Sequence, residues 1–177
     1  MNIKVAQSDM REAYYNGAPG ILVSGMVWIV AGIIALTKTQ QSSVLVFFIG
    51  GMFIYPLGML LSKALGRSGK HKKDNPLASL AFESTLLLFI GLFMAFAILQ
   101  IQPNWFFPIM LLTIGGRYVI FNSLYGLKIY WLLGLALVGL GVTFFFFNDD
   151  FYLSAVLGGA TELVFAIVIY FQKNKKK

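Results

Sequence analysis

Glu83, Arg117 and Glu162 stand apart because each is an ionisable residue inside a long apolar run. A charge at the middle of a bilayer costs about 3 kcal/mol or more, so such residues turn toward one another or toward a wet interior. Counted at about 1.5 Å per residue, Arg117 lies about 18 Å and Glu162 about 15 Å from the outer ends of their runs. Glu83 starts from the opposite side and comes to about 20 Å from the outside in a core about 30 Å thick. The three therefore occupy one layer. Tyr55, just before Pro56, counts to about 16 Å and brings a hydroxyl to the same depth. Asn122 follows Arg117 one to two turns further on. The expected binding cluster is Glu83, Arg117, Glu162, Tyr55 and Asn122.

Arginine is the natural hub of such a layer, with five donors and a charge that burial does not remove. Each carboxylate can take a charge-assisted hydrogen bond from it. One arginine and two glutamates sum to minus one, so a proton on one carboxyl or a bound cation completes the set. Two readings follow. In the first, the protein is a transporter or channel for a small solute or ion, working through this cluster. In the second, it is a structural or accessory membrane protein whose buried charges only lock helix packing.

Other chemistries lack their residues. The chain has no Cys, and its single His, His71, lies in a polar loop among lysines. Thiolate metal sites, a Cys nucleophile, haem ligation and an intramembrane Ser–His dyad have nothing to work with. No phosphate-binding or dinucleotide glycine motif occurs; Gly66-Arg67-Ser68-Gly69 is too short. No enzyme activity, cofactor or metal is expected. The net charge of +7 raises nucleic acid as a partner, but the bases sit in tails and short loops rather than on a basic face, so no nucleic acid is expected either. The expected partners are the lipid bilayer and, on the transport reading, a small solute or ion, with oligomerisation compatible with both readings.

The elements that must position these residues follow from composition. Of 177 residues, 58% are apolar and 12% charged, with a mean hydropathy of +0.78. Water-soluble domains are about a quarter charged, and this chain lacks the polar surface to cover itself. The fold class is all-α: one domain, a polytopic bundle of about six transmembrane helices. Continuous apolar runs about 20 residues long span 18–37, 44–62, 77–99, 105–124, 127–147 and 152–172. Their lack of alternation excludes a membrane barrel.

Lys and Arg set the orientation. With the N-terminus in the cytoplasm, Lys4, Arg11, Lys63, Arg67, Lys70, Lys72, Lys73, Lys128, Lys173, Lys175, Lys176 and Lys177 all face the cytoplasm. Lys38 alone lies outside, and the outer loop after the fifth run carries Asp149 and Asp150. Both termini are therefore expected in the cytoplasm.

Residues 3–16 mix Val5, Met10, Tyr14 and Tyr15 with Asp9, Arg11 and Glu12, a pattern for a short interfacial helix or else a frayed polar tail. The loop at 63–75 is rich in Gly and Lys, which predicts mobility. Pro56 frees a carbonyl one turn back, near Met52. Gly50-Gly51, Gly115-Gly116 and Gly158-Gly159 read first as close helix packing and second as a faint repeat of helical hairpins.

Arg11-Glu12-Ala13-Tyr14-Tyr15-Asn16-Gly17, leading into Ser24-Gly25-Met26-Val27-Trp28, joins several further motifs. They are Gly50-Gly51-Met52-Phe53-Ile54-Tyr55-Pro56, Asn75-Pro76-Leu77 with Glu83, Gly116-Arg117-Tyr118 and Tyr125-Gly126. Together they resemble a family of small bacterial inner-membrane proteins catalogued as a domain of unknown function, over nearly the whole chain. The resemblance implies a bacterial cytoplasmic (inner) membrane location and transfers no activity or site residue.

Overall fold

The computed structural model of the chain describes residues 1–147 and 151–172, and among these it is all-α. A short amphipathic helix, α1 (Ile3–Tyr14), precedes α2 (Ala18–Thr37), α3 (Gln40–Ala64), α4 (Leu77–Leu99), α5 (Phe106–Tyr125), α6 (Ile129–Phe147) and α7 (Phe151–Phe171). Six helical segments are long and apolar enough to cross a membrane, one in each region read from the sequence. The boundaries differ by a few residues; α3 starts earlier than the apolar run because Thr39 caps it, its hydroxyl accepting from the Ser42 amide at 3.1 Å. Asp149, Asp150 and the tail bases Lys173, Lys175, Lys176 and Lys177 lie outside the described residues.

Two helix crossings hold the bundle together, and glycine makes both. Where α2 meets α7, a Cβ on Gly159 would stand 2.8 Å from the Gly25 carbonyl oxygen. Where α5 meets α6, a Cβ on Gly115 would stand 2.8 Å from the Gly134 oxygen, and one on Gly134 2.7 Å from that of Gly115. Backbones this close exclude any larger residue and gain dispersion contact that lipid cannot replace. The close-packing reading of the glycines thus accounts for Gly115 and Gly159, and for Gly50 against Val27 and Gly158 against Leu111, whereas Gly51 and Gly116 face open space. On the periphery α3 leans on α2, with Gly58 against Gly20, and α4 leans on α5, with Gly91 against Thr113.

Between these pairs sits an aromatic core. Trp28 of α2 packs edge-on against Phe47 of α3 at 4.7 Å and reaches Phe107 of α5 at 5.5 Å, and Phe107 meets Phe151 of α7 at 4.8 Å. Trp28, Phe106 and Phe107 are fully enclosed.

The first residues are a helix, as the interfacial reading expects, but its buried stripe of Ala6, Met10 and Ala13 meets protein while Ile3 and Val5 stand exposed. A left-handed turn through Tyr15, Asn16 and Gly17, with φ of 50°, 58° and 87°, folds α1 back across the end of the bundle. Asparagine and glycine tolerate this conformation; tyrosine pays about 1–2 kcal/mol for it. The turn is held by the Tyr130 hydroxyl, which donates to the Asn16 carbonyl at 2.6 Å.

From there α1 closes off the ends of its neighbours. Gln7 donates to the Ser123 carbonyl at 2.8 Å and Arg11 to that of Tyr125 at 2.6 Å. These are two of the carbonyls that the last turn of α5 cannot satisfy itself, and a cation suits that end of the helix dipole. Asn75, at the start of α4, donates to Ala6 O at 3.0 Å and to Asp9 Oδ2 at 2.8 Å.

The 63–75 loop, expected to be mobile, is instead tied down: the Gly69 amide donates to Ala13 O, the Lys72 amide to Asp9, and the Tyr14 hydroxyl meets His71 Nδ1 at 2.8 Å. Burial, with Tyr55 nearby, pushes the Tyr14 phenol up to about 12. His71 is thus a docking residue as well as a loop residue.

Candidate functional site

Glu162 is the most enclosed acidic or basic residue described, with no exposed surface. It projects from α7 three residues beyond Gly159, where α2 and α7 approach closely. Tyr118, one residue after Arg117 on α5, donates its hydroxyl to Glu162 Oε1 at 2.8 Å. Ser24, buried on α2, faces the same carboxyl. Glu162 Oε2 has no partner. Three helices thus meet on one carboxyl that is half satisfied.

Arg117 points elsewhere. Its Nη2 donates to Thr85 Oγ1 on α4 at 3.3 Å, and the guanidinium lies over the Phe121 ring at 5.1 Å from the centroid. Its Nε is buried and unpartnered. Among the described residues it forms no ion pair with either glutamate. Adjacent positions of α5 thus serve two different partners: Tyr118 reaches the Glu162 carboxyl on α7, while Arg117 reaches Thr85 on α4.

The other expected members lie apart. Glu83 is exposed on α4, one turn from Leu86 and Leu87, which are themselves about half exposed at 47% and 51%. Tyr55 is 66% exposed on α3 and neighbours Tyr14 near the α1 end of the bundle. Asn122 lies beyond the layer, where its amide turns to donate to Leu127 O at 3.2 Å and to accept from Trp131 Nε1 at 3.1 Å. The expectation that all five converge is therefore not met. Residue counting gives height along a helix, and height alone does not say which way a side chain faces.

Tyr118, Thr85 and Ser24 complete the arrangement, and sequence reasoning did not give them these roles. Tyr118 carried a usable signal: it has the same depth as Glu162, and a buried carboxyl needs a donor. Thr85 stands two residues from Glu83, yet it serves Arg117. Chemically, the vacant oxygen of Glu162 suits a proton or a small cation. No group of three or more metal-ligating side chains occurs among the described residues.

A family model matches residues 3–172, nearly the whole chain. The chain belongs to DUF7010, a family of unknown function. No curated protein and no solved structure matches it. The DUF7010 match covers α1 as well as the six long helices, so the cap across the bundle end and the enclosed carboxyl both fall within the family's domain.

Proposed function

We propose that this multi-pass membrane protein is a transporter for a small ion or solute, with the Glu162 carboxyl as its working group. The observation that carries this reading is the pair of unpartnered buried atoms, Glu162 Oε2 and Arg117 Nε, at one depth on facing helices. A purely structural charge ordinarily has its hydrogen-bonding capacity filled. A vacancy on each side of Tyr118 suits groups that alternate between partners, the carboxyl taking up a proton or cation as the helices shift. Tyr118 would hold the carboxyl in place throughout, and Thr85 would anchor the arginine to α4.

The accessory reading keeps one observation in its favour: neither of the two described cavities reaches Glu162 or Arg117. Flux separates the two readings. In vesicles loaded with a pH-sensitive dye, the parent protein is expected to pass protons or a proton-coupled cation, and Glu162→Gln to abolish the flux while keeping its melting temperature. A parent that passes nothing under an imposed pH gradient and an imposed potential favours the accessory reading.

We also place the protein in the bacterial cytoplasmic membrane with both termini inside, supported by the lysine and arginine bias. Because the chain lacks Cys, single cysteines report topology cleanly. A membrane-impermeant maleimide applied to intact cells should label Gln102→Cys and leave Ser68→Cys unmodified; the reverse pattern would invert the orientation.

A further inference from the structure

A cavity of about 770 Å³ opens where α5 turns into α6, outside the Glu162 site. Asn122, Gly126, Lys128, Trp131 and Gln172 line it, together with Ile129 and Leu132. It lies at the end of the bundle that carries α1 and the basic 63–75 loop. We propose that this cavity is a binding site for the phosphate of an anionic phospholipid headgroup.

The lining is divided in the way that such a ligand is. Lys128 supplies an exposed ammonium. Asn122 and Gln172 supply amides, and Gly126, left-handed at φ 66°, turns the chain there with the place of a side chain taken by Gln7 and Arg11 of α1. On the other side Ile129, Leu132 and Trp131 offer an apolar wall, and Trp131 is 46% exposed. Tryptophan and lysine together at a helix end are the pair that sits at the headgroup level of a bilayer.

The Trp131 indole is already spent on Asn122, which fixes the ring as a wall instead of leaving it to seek water. The volume falls in the range of small-ligand pockets, about 300–1,000 Å³. Charge agrees as well. The chain runs on from Gln172 into Lys173, Lys175, Lys176 and Lys177 in sequence. Each base near a membrane surface contributes about 1 kcal/mol of attraction to anionic lipid, roughly a fivefold change in affinity.

Trp131 makes the site observable, because Trp28 is enclosed and Trp105 can be removed. In Trp105→Phe protein, brominated phosphatidylglycerol is expected to quench Trp131 at lower mole fraction than brominated phosphatidylcholine, by about fivefold. Lys128→Gln, a change at an exposed side chain, should bring the two lipids to parity. Lys70→Gln, at the same end of the bundle but outside the cavity, should leave the preference intact.

Millimolar inorganic phosphate that relieves quenching in the parent and not in Lys128→Gln would support the phosphate site and point to a soluble phosphate compound as a second source of the ligand. Equal quenching by both lipids in the parent, or an unchanged preference in Lys128→Gln, would overturn the proposal. Loss of preference in both lysine variants would also overturn it, since it would mean general surface charge.

Discussion

Glu162 and Glu83 are the two carboxylates of the membrane-spanning region, and the fold treats them oppositely. Glu162 is sealed at the meeting of α2, α5 and α7, with a tyrosine on one oxygen and nothing on the other. Glu83 stands on the outside of α4, among Leu86, Leu87 and Phe82. The first site is built: glycine crossings press the helices together, and an aromatic core seals one side. The second is a charge on a peripheral helix, six residues after the first residue of α4 at Leu77, toward an end where a carboxylate can reach headgroups or a partner. Burial of a charge identifies a candidate site only when neighbouring elements have been shaped around it.

Replacing each glutamate by alanine should break this symmetry most visibly. Glu162→Ala leaves a cavity and orphans the Tyr118 hydroxyl, and should cost about 3 kcal/mol or more in unfolding from detergent. Glu83→Ala should leave the unfolding curve in place, and an equal loss at both positions would contradict the contrast. Tyr118→Phe comes next. It removes the hydroxyl that donates to Oε1, leaving only Ser24 facing the carboxyl, and should cost about 1–3 kcal/mol, most of it restored when Glu162→Gln is added, because a neutral amide suffers less from the missing donor.

Thr85→Val should cost about 1 kcal/mol, the scale of one hydrogen bond. That loss would show that the inward side of α4 is engaged although Glu83 is not. The smallest effect concerns pH at the α1 cap. The Tyr14 phenol is raised from 10 to about 12 by burial, so its contribution is complete below pH 10 and fades as pH climbs toward 12. Protease access to α1 should increase over that window, and Tyr14→Phe should remove the dependence.

The six long helices were legible because lipid demands about 20 apolar residues whatever their order. The depths of Arg117 and Glu162 were legible for a related reason, since rise per residue is fixed. Facing direction was not. α4, α5 and α6 are apolar around most of their circumference, so no polar stripe marks which side of α4 carries Glu83. The contacts that decide it, Gly91 on Thr113 and Thr85 on Arg117, join residues far apart in sequence. The same holds for α1: its amphipathic pattern announced a helix, but the stripe of Ala6, Met10 and Ala13 could as well have met lipid as protein.

The docking of α1 also constrains biogenesis. Its partners are Gly69, His71, Lys72 and Asn75, then Ser123 and Tyr125, all of which leave the ribosome long after α1 itself. Helix α1 must therefore wait for its full set of partners until α2 to α5 have been made. Its docking is complete only once that part of the bundle has assembled, so a helix made before its partners becomes the latch fastened late.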